Sequence, residues 1–241
     1  MSHECTDPLP GAIAPVLSAA VLAHLQQLNL DYLDLLVAGG SPPDCPAQIQ
    51  QLPARLGKAI AALPASGRRL LTSLPYTLYS LGFEDAGFWR SACHAGRPTT
   101  DGVPIEQRYP VGTASLQRSF CEVALMHAWH VAVSNRLAAR VIYAMPDAVL
   151  AGIVATPLWR LRWIAAAHPT LLSPRWPTNP AFWPDLVRFA SSGDARRFAT
   201  VKLLGSQLIA AELELAAGRG TRAGASPRLR ARRIELRTRL R

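Results

Sequence analysis

Apolar residues recur at intervals of three and four along most of this chain, which is the spacing of helices that bury one side. The pattern covers residues 9–38, and Gly39-Gly40 ends it. A proline-rich loop follows at 41–46, and the next stretch is broken into two or three short helices at Pro53, Pro64 and Pro75. The stretch "FEDAGFWRSACHAG", which begins at Phe83, predicts one further short helix or turn.

A second series of helices follows a stretch without periodicity. Residues 95–112 hold three prolines and three glycines, which is typical of a loop or linker. Residues 114–145 predict a long helix that is interrupted near Ser134-Asn135, and Pro146-Asp147 restarts the chain into another helix. Pro157 opens the next one. Five prolines make residues 169–184 a turn-rich segment, here called the strap, and a final amphipathic helix runs to Gly218.

The fold class follows from these periods. No stretch shows the sustained alternation of β-branched and aromatic residues that a sheet needs. The sequence therefore predicts an all-α protein, a compact array of short helices broken by prolines. We divide it into an N-terminal helical region (1–94), a loop or linker (95–112), a C-terminal helical region (113–218) and a basic, flexible tail (219–241).

Two segments, residues 68–89 and 162–183, resemble each other weakly. Pro75 and Pro169 lie 94 positions apart (169 − 75), and Phe88-Trp89 and Phe182-Trp183 have the same offset. Repeat proteins show more regularity than this. The sequence alone therefore favours chance patterning over an internal duplication.

Composition favours a folded, soluble protein whose basic charge is concentrated at one end. Of the 241 residues 49% are apolar and 17% are charged, and the formal net charge is +10. Residues 219–241 contain nine arginines and one glutamate, a net charge of +8, so the other 218 residues carry only +2. Scattered cysteines, an acidic N-terminus and apolar stretches too short for a membrane span predict a cytoplasmic location.

The sequence gives little support for a catalytic activity. The motifs for phosphate binding, dinucleotide binding, serine hydrolysis and zinc proteolysis are missing, so we expect neither an enzyme nor a cofactor. His127 and His130 stand three residues apart on a helix, with Cys121 upstream, and could share a metal ion. A zinc site needs further ligands, so packing beside Trp129 is the favoured interpretation. A helical enzyme with a metal at the two histidines is a weaker alternative.

The arginine-rich tail contains a candidate site for an anionic surface at Arg228, Arg230, Arg232 and Arg233. Arginines at this density can contact the phosphates of nucleic acids or lipid headgroups. The leucines of the tail form no clean apolar stripe, so a membrane helix is not indicated. A solvated terminus is the favoured interpretation. A helical nucleic-acid-binding or regulatory protein that uses this tail is the alternative function.

The stretch "PLWRLRWIAAAHPTLLSPRWP" (157–177) combines aromatic and guanidinium side chains on one short helix. Tryptophan and arginine are enriched at the energetic centres of protein interfaces, so we predict a docking face here. Its candidate residues are Arg160, Arg162, Trp163 and Arg175. Trp176 lies between Pro174 and Pro177, which predicts an extended backbone and a place in the core.

Residues 115–177 also carry an ordered series of features. It comprises a leucine-rich helix with a basic pair, a proline-led helix, a Leu-Arg-x-Ile turn, a histidine, a Leu-Leu pair and a Trp-Pro corner. The corresponding residues are Arg136 and Arg140, Pro146, Leu161-Arg162-Trp163-Ile164, His168, Leu171-Leu172 and Trp176-Pro177. This order resembles the SctK family, the sorting-platform adaptors of bacterial type III secretion systems. One residue is inserted before the corner, and the first hundred residues and the tail match no distinctive family feature.

The resemblance implies a mostly helical, non-enzymatic adaptor. Such a protein would join the cytoplasmic domain of the inner-membrane ring protein (SctD type) to the pod protein (SctQ type), at the cytoplasmic face of the inner membrane. It would need no cofactor, metal or small-molecule substrate, and it would reach the membrane only through the ring protein. Nucleic-acid binding is not implied. The resemblance does imply two protein-binding faces on a near-neutral body.

Overall fold

The structure, a computed structural model, describes residues 17–38, 54–94 and 113–224, and the elements in these ranges are almost all helices. The predicted all-α class is confirmed. The helices are α1 (Ala19–Ala38), α2 (Ala54–Ala61), α3 (Ala65–Thr72), α4 (Ala86–His94), α5 (Thr113–Ser134), α6 (Arg136–Tyr143), α7 (Asp147–Ala155), α8 (Leu158–Ala167), α9 (Phe182–Ser192) and α10 (Ala195–Gly224). A 3-10 turn at Pro169–Leu171 lies between α8 and α9.

Several helices begin where the sequence predicted a break. Pro64, Pro146 and Pro157 stand with extended backbones directly before α3, α7 and α8. A proline fits there because the first helical turn requires no N–H from it. Asn135 interrupts the long helix, since its side chain accepts a hydrogen bond of 3.0 Å from the Ala138 N–H and starts α6 anew.

Helix α9 was not predicted and begins at Phe182, inside the segment predicted as the strap. Two other helix ends also differ from the predicted ones. The described part of α1 begins at Ala19, and the first residues of the predicted helix 9–38 lie outside the described residues. Helix α10 continues through Gly218 to Gly224, six residues into the segment predicted as tail. An isolated glycine costs a helix only about 1 kcal/mol, and the preceding Ala216-Ala217 favour helix, so Gly218 does not end it.

The two predicted helical regions share one core. Helix α1 packs against α5, α4 against α7 and α3 against α9, so these contacts all join residues on opposite sides of the 95–112 segment. Large, fully buried aromatic side chains come from both regions: Tyr32, Tyr76, Tyr79, Phe83, Trp89, Phe182 and Trp183. Full burial of one large apolar side chain contributes about 1.5–3 kcal/mol. Each region therefore depends on the other for much of its stability.

A short antiparallel ribbon also joins the two regions. Strand β1 (Tyr79–Ser80) pairs with β2 (Ser173–Pro174), with Tyr79 opposite Pro174 and Ser80 opposite Ser173. The ribbon is not a hairpin, because its strands lie far apart in the sequence.

The segment leading into β1 is held by a buried side chain of α1. Asn29 donates to the Tyr76 carbonyl oxygen (3.0 Å) and accepts from the Leu78 N–H (2.9 Å). Asn29 is fully buried, so its amide has to find partners inside the protein. It thereby fixes an extended stretch of backbone beside the ribbon.

The elements of the first region recur in the second at a nearly constant spacing. The elements α3, β1 and α4 begin at residues 65, 79 and 86, and α8, β2 and α9 begin at 158, 173 and 182. These paired starts differ by 93, 94 and 96 residues, and α1 and α2 precede α3 as α5 and α7 precede α8. We call α1–α4 with β1 the first unit, and α5–α9 with β2 the second unit. The interpretation of segments 68–89 and 162–183 as chance patterning does not hold.

The packing repeats along with the elements. Helix α1 contacts α2 and α3 as α5 contacts α7 and α8, and α4 contacts α7 as α9 contacts α2. The ribbon pairs the same positions when the two units are exchanged. In these contacts the two units are related by an approximate two-fold exchange. The exchange is partial, because α3 packs closely against α9 whereas the corresponding helices α8 and α4 contact each other only weakly.

The turn after each strand shows the correspondence residue by residue. Gly82 and Trp176, 94 positions apart, both have a left-handed backbone, with φ of 68° and 48°. Their carbonyl oxygens accept from the N–H groups of Asp85 (3.1 Å) and Asn179 (3.0 Å), which are also 94 positions apart. The side chains of Asp85 and Asn179 then cap the next turn by accepting from the backbone N–H three residues later, at 2.9 Å in both units.

Candidate protein-binding surface on helix α8

Helix α8 buries one side and exposes large aromatic side chains on the other. Leu161, Ile164 and Ala165 are buried, and the helix packs against α5. Trp159 and Trp163, one turn apart, keep 47% and 39% of their surfaces exposed. Exposed apolar area that is contiguous, rather than scattered singly, is a mark of interaction sites.

Two further, half-buried rings border this exposed area. The ring of His168 lies 6.3 Å from that of Trp163 and 5.2 Å from that of Phe88 in α4, edge-on in both cases. The guanidinium of Arg160 lies 5.2 Å from the centre of the Trp159 ring, where the electron-rich face attracts a cation. We call Phe88, Trp159, Trp163 and His168 the aromatic surface.

Arg160 and Arg162, both predicted to dock a partner, differ in their surroundings. Arg160 donates through Nη1 to the Cys93 carbonyl oxygen at 2.6 Å. Cys93 lies in the last turn of α4, where carbonyl oxygens have no hydrogen-bond donor within the helix. Arg162 is exposed and forms an ion pair of 2.5 Å with Glu122 of α5. An exposed ion pair contributes at most about 1 kcal/mol, so a partner's carboxylate can replace Glu122 at low cost.

Arg175 does not belong to this surface. Its side chain is only 4% exposed, its Nη1 donates to the Ile142 carbonyl oxygen (3.3 Å), and its Nη2 lies 3.6 Å from the Glu212 carboxylate. Burial lowers the pKa of the guanidinium, and the nearby carboxylates of Glu212 and Glu84 oppose that shift. The prediction that Arg175 docks a partner is corrected, because a guanidinium inside the protein is not accessible to one.

Trp176 packs against the core, as predicted, but its backbone is not extended. Its ring lies 4.6 Å from that of Phe182, and its indole N–H donates to Glu212 at 2.7 Å. Its φ of +48° lies in the left-handed region, although a following proline favours extended backbone. The corresponding Gly82 adopts the same conformation, so the turn requires it. Trp176 meets this requirement at a cost of about 1–3 kcal/mol.

His127 and His130 lie in different surroundings. The Nδ1 of His127 shares a hydrogen bond of 2.5 Å with the Tyr143 hydroxyl, whereas His130 is exposed and Cys121 is fully buried. Burial, and then His24 and His130, lower the pKa of His127 to about 4. Among the residues that the structure describes, no three His, Cys, Asp or Glu side chains are placed to hold a metal ion together.

The sequence pointed to α8 but missed part of its surface. Trp159 and Trp163 stand at i and i+4, a spacing that places both on one side of a helix and could have added Trp159 to the candidates. Phe88 and His168 join them only through tertiary contacts, which no local pattern indicates. The tail candidates Arg228, Arg230, Arg232 and Arg233 lie outside the described residues.

Comparisons with known proteins add no relative. The chain matches no family model, and it has no significant match among curated proteins or solved structures. Within the described ranges no single helix is long and apolar enough to cross a membrane, and α6 with α7 meets that measure only as a pair bent by 118°.

Proposed function

We propose that this protein is a non-enzymatic adaptor of the cytoplasmic sorting platform of a bacterial type III secretion system. It links an inner-membrane ring protein of the SctD type to a pod protein of the SctQ type, at the cytoplasmic face of the inner membrane. The observation that carries the proposal is the exposed Trp159–Trp163 pair on α8. Both tryptophans lie inside the segment that resembles the SctK family.

The two-fold correspondence supports a binding role for these tryptophans. An offset of 94 aligns the buried Gly67 and Leu71 of α3 with the buried Leu161 and Ala165 of α8. At this offset the positions of Trp159 and Trp163 hold Ala65 and Arg69, and both are exposed. The fold therefore builds the same helix in the first unit without aromatic side chains there. Exposed tryptophans that folding does not require are best explained by a partner.

A surface ion pair to the long first helix recurs in both units. Arg68 of α3 pairs with Asp34 of α1 at 2.6 Å, as Arg162 of α8 pairs with Glu122 of α5 at 2.5 Å. In both helices the ion pair joins the helix to the long first helix of its own unit.

An adaptor needs a second binding surface, and α5 with α6 supplies a candidate. These two helices expose large apolar side chains between 37% and 56% of their surfaces, namely Leu116, Val123, Val133, Leu137 and Val141. In this proposal each partner takes one of the two surfaces.

The test is a double substitution, Trp159→Ala with Trp163→Ala, in the full chain. Titration calorimetry against the purified ring-protein cytoplasmic domain and the pod protein of the same secretion system measures both affinities. We expect one of the two to fall by about 2 kcal/mol or more, since buried tryptophans are common interface anchors. The melting temperature should change little, because both side chains are exposed.

The matched control is Leu203→Ala on α10, where an exposed apolar side chain (59%) lies apart from α8 in the sequence. It should leave both affinities unchanged. Wild-type affinity of the double variant for both partners would exclude the aromatic surface as a docking site. Failure of the wild-type chain to bind either protein would exclude the adaptor function itself.

A further inference from the structure

A cavity lies between the strap, the α6–α7 turn and α10. It has a volume of about 410 Å³, and its polar lining consists chiefly of Ser80, Glu84, Arg175 and Glu212, beside Tyr143 and Trp176. Cavities of this size are common sites for small ligands. None of its lining residues belongs to the aromatic surface, so the proposed docking function does not account for it.

The guanidinium of Arg175 borders this cavity, and its carbon lies 5.1 Å from the centre of the Trp176 ring. Its acceptors, the Ile142 carbonyl oxygen and the Glu212 carboxylate, lie at 3.3 and 3.6 Å. Charge-assisted hydrogen bonds of guanidinium groups are usually about 2.7–2.9 Å long. A buried arginine with two long contacts retains capacity for one well-placed carboxylate.

The charge balance decides what else the ligand must carry. Arg175 faces two lining carboxylates, Glu84 and Glu212, a net charge of −1. One oxygen of Glu212 accepts from the Trp176 indole, and one oxygen of Glu84 accepts from the Ser80 hydroxyl at 3.2 Å. A carboxylate alone would add a second uncompensated negative charge. A ligand that also carries an ammonium group adds none.

The strained backbone of the second unit is concentrated at the same place. Among the described residues, Ala144 (φ 51°) and Trp176 (φ 48°) are the non-glycine residues with a left-handed backbone, and both line the cavity. Such strain is frequent at ligand-binding positions. In the first unit, Leu81 and Gly82 stand where the second has Arg175 and Trp176, so the turn forms there without a buried charge or a strained residue.

We propose that this cavity binds a free α-amino acid with an apolar side chain. The carboxylate of the ligand bonds the Arg175 guanidinium, and its ammonium group lies between Glu84 and Glu212. The side chain contacts the apolar part of the wall, which includes Leu215 and Ala216 of α10. The site is independent of the proposed adaptor function.

Three matched probes test the two charged contacts on the full chain. L-Leucine should bind in calorimetry, whereas N-acetyl-L-leucine, without the ammonium, and L-leucinamide, without the carboxylate, should each bind at least about tenfold more weakly. Equal binding of the three probes would overturn the proposal. So would an absence of L-leucine binding at concentrations up to about 10 mM.

Two variants locate the site. Glu84→Gln should weaken L-leucine binding about tenfold, and Glu214→Gln, an exposed carboxylate of α10 outside the cavity, should leave it unchanged. Arg175→Leu introduces the residue found at the corresponding position 81 and should abolish binding while the protein remains folded by circular dichroism. Wild-type affinity in either Glu84→Gln or Arg175→Leu would place the ligand elsewhere and overturn the assignment.

Discussion

At the scale of single residues, three arginines of the 157–177 stretch lie in three different environments. Arg160, Arg162 and Arg175 belong to one arginine-rich stretch, yet they cap a helix, pair on the surface and lie buried, respectively. The differences arise from α4, α5 and α10, which approach this stretch from distant parts of the sequence. Local composition identified the stretch but could not assign these three roles.

His127 makes stability depend on pH. Its pKa is about 4 in the folded protein, because burial disfavours the charged imidazole, against 6.5 for an ordinary histidine. As the pH falls from about 6.5 towards 4, the unfolded chain takes up a proton that the folded protein does not. The free energy of unfolding therefore falls in this window, by at most about 1.4 kcal/mol per pH unit. Because His127 is half-buried, solvent screening makes the slope smaller.

Urea denaturation at pH 7 and pH 5 measures this effect. The variant His127→Gln retains an acceptor for the Tyr143 hydroxyl and should lose part of the pH dependence, whereas His94→Gln, at the exposed end of α4, should keep it. The same pH dependence in His127→Gln and in the wild-type protein would show that another group is responsible.

At the scale of elements, prolines and apolar periodicity were sufficient to place most helices. Pro64, Pro146 and Pro157 lie directly before helices, and the predicted interruption near Asn135 is the start of α6. The ribbon was not predicted, since strands of two residues leave no alternating pattern. In the sequence the correspondence of the two units was visible only at a few prolines and aromatic residues. A helix requires apolar residues at a certain spacing but not particular residue types, so two similar helices need not have similar sequences.

Helix α10 is fitted closely to the core at Gly205. A methyl group at this position would overlap the hydroxyl of Tyr76, and that hydroxyl donates to the Lys202 carbonyl oxygen at 3.1 Å. Tyr76 is almost fully buried, so either the ring or the helix has to move. We expect Gly205→Ala to lower the free energy of unfolding by about 1–3 kcal/mol in urea denaturation.

The control for this substitution is Gly57→Ala in α2, where nothing lies within 4 Å of the added methyl group. Alanine is favoured over glycine in a helix by about 1 kcal/mol, so this variant should be slightly more stable than the wild-type protein. If both variants changed stability in the same direction and by the same amount, the close fit of α10 to Tyr76 would not be the cause.

At the scale of the whole molecule, the two units cannot be separated without opening the core that they share. Helix α2 of the first unit lies against α9 of the second, and α7 of the second lies against α4 of the first. In the proposed function, partners at α8 and α5 would therefore contact one body rather than two domains joined by a linker. A rigid body suits an adaptor that has to hold two proteins at a fixed distance, because little conformational entropy is lost on binding.

Most of the formal positive charge lies in residues 225–241, which are outside the described residues. They contain seven arginines and one glutamate, so their deletion lowers the formal net charge from +10 to +4. Among the side chains that the structure describes, the packed apolar residues extend to Leu213, and we expect the melting temperature to change by less than about 2 °C. Deletion from residue 206 onward is the matched control, since it removes Ile209 and the Glu212 contact to Trp176 and should lower the melting temperature clearly.

Binding of the 225–241 deletion to the ring and pod proteins should equal that of the full chain. If the full chain instead bound a random DNA duplex with a steep salt dependence, and the deletion lost this binding, phosphate contacts of the tail would be the main activity. The nucleic-acid-binding alternative would then replace the adaptor proposal.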